Sequence, residues 1–154
     1  MRGEDGKLQI ESCKLKAGQG GAFFTFVVRE LLMTPEELSD RLLDFAARIG
    51  KLADAFPDTR MGRHIAGQII RSGTSAAQNY EEGCAAESRR EFAHKLQICL
   101  KELRETRLWL RLILRASLLS EKRLTKLLEE ADSLCKIIGK TVVTAKRQPP
   151  KKSD

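Results

Sequence analysis

The chain has 154 residues, 42% hydrophobic and 32% charged, a balance that suits one globular domain with a sizeable core and excludes a disordered polymer. Lys and Arg outnumber Asp and Glu by 28 to 21, and the resulting formal charge of +7 points toward a polyanionic partner, RNA or DNA. No apolar run approaches the roughly 20 residues of a membrane-spanning helix, and the polar opening with both charge signs is unlike a secretory signal; the expected location is cytoplasmic, without a membrane partner.

Residues 1–33 read as a flexible or atypical leader. "GQGG" at 18–21 is a spacer, and no helical apolar repeat precedes it. "FFTFVV" that follows admits three readings: a strand, a backward extension of the first helix, or a cover for an apolar groove. A further reading takes Met33 as the biological start.

From Thr34 the pattern sharpens. "TPEE" supplies an N-cap, a proline at the first helical position and Glu37 three residues after the cap. Leu38, Leu42, Phe45, Ile49, Leu52 and Phe56 then alternate steps of four and three, the seam of a bundle helix that Pro57 stops. A second helix is predicted from Asp58 or Thr59 to about Glu82, with Gly83 as its left-handed terminal residue.

That second helix is slim. Ile65, Ile69, Ser72, Gly73, Ala76 and Tyr80 share one face, and Gly73 costs about 1 kcal/mol against alanine in a helix interior. Close packing against large neighbours such as Phe45 and Phe92 is expected to offset that cost. The hydroxyls of Ser72, Thr74 and Ser75 are expected on carbonyls of the preceding turn, which leaves no activated nucleophile. The end of the helix, Asn79 to Gly83 beside Arg89 and Arg90, reads as a polar corner rather than a catalytic carboxylate: Glu82 accepts from a backbone amide or an arginine, and Asn79 fixes the turn.

Ser88 and Glu91 form a second capping box. Phe92, Leu96, Cys99, Leu103, Thr106, Leu110, Ile113 and Ser117 carry the seam of a third helix. Ser120 caps a fourth, with Leu124, Leu127, Ala131, Leu134, Ile138, Val142 and Ala145 inward, and "RQPPKKSD" ends it. The expected fold is all-α, an antiparallel up-down four-helix bundle over 34–147 with a disordered tail at 148–154. Cys13, Cys84, Cys99 and Cys135 form no CxxC, and His64 and His94 stand apart, so buried thiols are expected, with no metal and no cofactor.

Two features of the third helix lie off its seam. Lys101, Arg104, Arg107, Arg111 and Arg115 fall within roughly a 120° arc. They read either as a solvated face paired to Glu105, Glu129 and Glu130, with Lys101–Glu105 the clear pair one turn apart, or as a row of phosphate contacts. No stacking aromatic accompanies the row, so nucleic-acid binding through it is expected to be backbone-directed. Leu108, Trp109 and Leu112 are expected on the far side as an apolar patch for self-association, or for a protein partner if the bundle is an adaptor instead. With no nucleophile, metal set or phosphate loop in the pattern, the chain is read as a non-enzyme.

Residues 68–113 resemble a small family of four-helix bundles first met as proteins encoded in intervening sequences of bacterial large-subunit rRNA genes. The likeness rests on Arg71 to Ser75, Asn79 and Tyr80, then Ser88, Phe92, Lys95, Leu96, Ile98 and Leu100 to Glu102, then Glu105, Thr106, Trp109 and Leu110. It extends over about 34–147. What the resemblance implies is a bundle that assembles into a ring, as a pentamer. Most members of the family have no assigned activity. One relative, the accessory protein of diversity-generating retroelements, pairs a basic barrel with nucleic acid and a reverse transcriptase, which makes RNA or DNA and a reverse transcriptase the candidate partners that the resemblance offers. The chain departs from the family in its leader and in Glu81–Glu82, which add acidity at the corner after the second helix.

Overall fold

A computed structural model of the protein describes residues 33–147; the tail expected at 148–154 and the leader before Met33 lie outside the described residues. Among those residues there are four helices and no strand: α1 (Pro35–Ala53), α2 (Arg60–Cys84), α3 (Arg89–Arg115) and α4 (Glu121–Lys146). They pack as a bundle in which α2 lies on α1 and α3, α3 lies on α4, and α1 touches α4 more sparingly.

The helix starts follow local chemistry. Thr34 Oγ1 accepts from the Glu37 amide at 3.1 Å while the Glu37 carboxylate accepts from the Thr34 amide at 2.7 Å, a complete capping box. Thr59 Oγ1 accepts from the Gly62 amide at 3.0 Å and opens α2. At α3 Ser88 Oγ accepts from the Glu91 amide at 3.1 Å, but the return arm lands one residue early, on the Glu87 amide at 3.2 Å. Ser120 occupies the cap position of α4 without a side-chain capping bond; the chain enters from Ser117, which has φ 51°, and the Arg123 amide bonds the Ser120 carbonyl at 3.0 Å.

Two predicted ends move. α1 stops at Ala53, short of Pro57. The amides of Ala55 and Phe56 tighten onto the carbonyls of Leu52 and Ala53, because a residue next to proline is driven out of helical geometry. α2 continues through Gly83 to Cys84, and no described glycine has positive φ, so Gly83 is not a left-handed terminator. It is buried inside the helix, where a Cβ would stand 2.8 Å from Leu96 Cδ1 and 3.4 Å from Lys95 Cβ.

Gly83 shares that role with two other glycines. A Cβ on Gly73 would meet Ile49 Cγ2 at 3.1 Å, so its close neighbour is Ile49 of α1 rather than Phe45 or Phe92. A Cβ on Gly62 would lie 2.2 Å from the Pro57 carbonyl oxygen. The thin helix therefore lets three different neighbours come close, one at each glycine.

The core is continuous from Leu38, Leu42, Phe45 and Ile49 through Ile65 and Ile69 to Leu96, Leu103, Leu110, Leu134 and Ile138, all buried. Met33 packs against its edge. Tyr80 is fully buried and donates its hydroxyl to the Pro35 carbonyl at 3.1 Å, tying α2 to the start of α1; burial pushes its phenol well above the ordinary range. Arg41 joins α1 to α4 with a fork on Glu130 at 2.6 and 2.9 Å and a bond to Ser133 Oγ at 2.8 Å.

Glycine substitutions separate propensity from packing. Gly67→Ala, where a Cβ meets nothing within 4 Å, should raise stability by about 0.5–1 kcal/mol. Gly62→Ala gains the same propensity but collides with backbone, and should lower stability by about 1–3 kcal/mol in urea melts.

Candidate functional site

The residues that carry the family resemblance meet along the α2–α3 seam. Arg71 of α2 bonds Glu102 at 3.1 Å and also pairs with Glu105, both on α3. Glu105 accepts in addition from Trp109 Nε1 at 3.3 Å, and the Trp109 ring meets His64 of α2 edge-on with centroids 5.9 Å apart. The Arg71 hydrogen bond holds the Glu105 carboxyl below its usual range, and the Glu105 carboxylate in turn raises the Arg71 guanidinium.

Beneath this chain lies a buried hydroxyl pair. Thr106 Oγ1 is 2.8 Å from Ser72 Oγ and 2.9 Å from the Glu102 carbonyl, and its single proton serves one at a time. Ser72 donates to the Ile69 carbonyl at 3.3 Å and Thr74 to the Ile70 carbonyl at 2.8 Å, as expected from the sequence. Such hydroxyls are committed to structure.

The corner at the end of α2 is likewise internal. Glu82 accepts from Lys95 and from Gln78 rather than from an arginine, and the Lys95 bond holds its carboxyl below the usual range. Asn79 donates back to the Ser75 carbonyl at 2.8 Å, and Glu81 pairs with Ser39 of α1. Arg89 points away from the corner: its Nε donates to the Ala145 carbonyl at 2.7 Å, closing the end of α4. Burial pushes the Cys99 thiol up to about 12 and raises Cys135, so both stay protonated and weakly nucleophilic.

The predicted basic row divides. Lys101, Arg104, Arg111 and Arg115 are exposed, and none has an ion-pair partner among the described residues. Arg107 differs: it is half-buried and pairs with Asp132 of α4 at 2.9 Å. Of the acids expected to neutralise the row, Glu105 is engaged by Arg71 and Glu130 by Arg41, Glu129 forms no ion pair among the described residues, and the Lys101–Glu105 ion pair is not formed. Arg107, Arg111, Leu128 and Asp132 line a cleft between α3 and α4.

The predicted apolar patch divides too. Leu108 is 57% exposed, but Trp109 and Leu112 are half-buried and pack against the core edge. Trp109 does not lie on the far side because it stands three residues after Thr106 and four before Ile113, which places it on the flank of the seam beside α2. The inter-helix pairs of Arg71, Arg41 and Arg107 were not legible as pairs, since their partners lie 25 to 89 residues away in the chain.

Residues 37–140 match the family described as 23S rRNA-intervening sequence protein. The chain belongs to that family. The match runs from the first turn of α1 deep into α4 and contains the whole α2–α3 seam. A solved structure of a protein of unknown function from the S23 ribosomal protein family of Bacteroides thetaiotaomicron is similar, with 33% identity and a TM-score of 0.62. The alignment covers 66% of this chain and 94% of that one. No curated protein matches the chain.

The Arg71–Glu105 pair carries a pH signature. The depressed Glu105 carboxyl adds stability that is present above its ordinary value of 4.5 and is lost as pH falls through the lower folded value. Glu105→Gln should therefore melt below the wild type at pH 7, by at most about 1 kcal/mol for so exposed a pair. The two melting curves should converge as pH falls below the lowered folded value, because there the wild-type carboxyl is also neutral.

Proposed function

We propose that this member of the 23S rRNA-intervening sequence protein family is a non-enzymatic, self-associating bundle that binds RNA or DNA through the outer face of α3. The observation that carries the reading is that Lys101, Arg104, Arg111 and Arg115 are exposed and lack ion-pair partners among the described residues, on a chain with formal charge +7. Guanidinium groups one helical turn apart repeat at about 5.4 Å and make two-pronged contacts with phosphate oxygens. No aromatic shares that face, so recognition is of the backbone and weakly sequence-specific.

In this reading the helices alternate in direction. Glu82 with Lys95, Ser72 with Thr106 and His64 with Trp109 support it for α2 and α3, since the position on one helix falls as that on the other rises. Arg89 with Ala145 and Arg107 with Asp132 support it for α3 and α4. Copies associate through the flank of α3 beside the basic face, where Trp109 and Leu112 are partly open, and a ring multiplies a weak basic face by avidity. Five subunits, and a reverse transcriptase as a further partner, are what the resemblance adds to the proposal. No helix among the described residues is long and apolar enough to cross a membrane, and the cytoplasm is the proposed location.

Arg104→Glu with Arg111→Glu should weaken binding of a labelled oligonucleotide at least about 10-fold and flatten the log–log salt dependence by roughly 1.4 to 1.8. Unchanged affinity would overturn nucleic-acid binding by this face. Asp132→Asn frees Arg107 and should strengthen binding severalfold in the same titration.

Leu112→Glu tests assembly by light scattering, with a fall to monomer mass and an unchanged circular-dichroism spectrum expected. An undiminished oligomer with loss of a protein partner alone would favour the adaptor reading, which the exposure of Leu108 also supports.

A further inference from the structure

One line of side chains runs the length of α3. Arg90, His94, Gln97, Lys101, Arg104, Leu108, Arg111 and Arg115 follow one another in alternating steps of four and three, and all eight are exposed. Such spacing keeps them in one stripe along the helix. The stripe contains no acid. Arg107, paired with Asp132, lies off it. From Arg90 to Arg115 it spans roughly 38 Å at 1.5 Å per residue.

At its N-terminal end the stripe enters a pocket of about 760 Å³ between the start of α3 and the end of α4. Arg90, His94 and Gln97 line it together with Arg89 and Lys146, and the single carboxylate among the lining residues is that of Glu91. Two details make this pocket receptive to an anion. Arg89 caps the Ala145 carbonyl at 2.7 Å, which offsets the negative end of α4 that would otherwise repel a phosphate. Glu91 Oε2 accepts from the Glu87 amide at 3.2 Å, so its charge is partly compensated by the loop. Arg90, His94 and Lys146 are exposed, and none has an ion-pair partner among the described residues.

We infer that this pocket, through Arg90, His94, Gln97 and Lys146, is a phosphate anchor for the strand that the rest of the α3 stripe carries. The inference rests on the nucleic-acid reading above and adds a site to it: the stripe does not begin at Lys101 but a further three turns toward the helix start. A strand spaced at about 3.4 Å per nucleotide needs roughly 11 nucleotides to run from the pocket to Arg115.

Fluorescence anisotropy on the full chain with labelled oligothymidylates, one of six nucleotides and one of eighteen, tests the anchor. Arg90→Glu with Lys146→Glu alters two exposed positions, and thermal melting followed by circular dichroism confirms the fold. The 18-mer should bind at least 10-fold more weakly to this variant, with a salt slope flatter by roughly 1.4 for two lost phosphate contacts. The 6-mer, short enough to sit on the row alone, should change less than threefold. An 18-mer that binds the variant normally but is lost by Arg104→Glu with Arg111→Glu would show that the row works without the pocket, and the anchor fails. Equal loss of both oligomers would also overturn it, because a general charge effect makes no distinction of length. Should neither double variant affect the 18-mer, the nucleic-acid reading itself falls.

Discussion

The register between α2 and α3 is held at two depths. At the corner Gly83 brings the α2 backbone against Leu96, where any side chain would intrude. Farther along, the Ser72 and Thr106 hydroxyls meet in the fully buried core. Each hydroxyl keeps a carbonyl acceptor on its own helix, so sliding one helix past the other by a turn forfeits the bond between them, about 0.5–1.5 kcal/mol, a register-dependent term that apolar contacts alone would not supply. With the register fixed, Arg71 falls between Glu102 and Glu105, and Trp109 falls between Glu105 and His64. The outer stripe of α3 is oriented by the same lock.

The bundle was legible in the sequence because its seams are periodic. Leu38 to Leu52, Phe92 to Ile113 and Leu124 to Ala145 alternate threes and fours, and every one of those apolar seam residues is buried. Caps were legible where a hydroxyl stands three residues before an amide it can reach, as at Thr34, Thr59 and Ser88. Gly83 was misread for a physical reason: a glycine after a helical run signals equally a left-handed terminus or a close helix contact, and only the position of Leu96 distinguishes them. Trp109 was misread because one position on a wheel separates a flank from an outer face, and a large ring on the flank folds back over the neighbouring helix.

The basic residues of α3 were visible from the start, but not how they would be sorted. Charge pairs within one helix can be read from spacing; those between helices depend on register and direction. Glu105 looked like the natural partner of Lys101, yet Arg71 reaches it from α2 with support from Glu102 on the same guanidinium. Arg107 looked like one more member of the row, yet Asp132 takes it from α4. At Glu105 an ion pair across the seam prevails over one along the helix.

That sorting determines what the outer surface presents. The acids of α3 are Glu91, Glu102 and Glu105, and each is turned to a loop amide or to Arg71. The cations of the stripe receive no such compensation from their own helix. Like charges one turn apart destabilise a helix by a few tenths of a kcal/mol per pair, a cost that the buried seam from Phe92 to Ile113 readily offsets. A folded helix that tolerates an uncompensated cationic edge is held at higher electrostatic energy than one with balanced faces. In the proposed binding, a polyanion laid along that edge relieves the repulsion, and part of its affinity comes from the arrangement of charges in the free protein, beyond the contacts formed on binding.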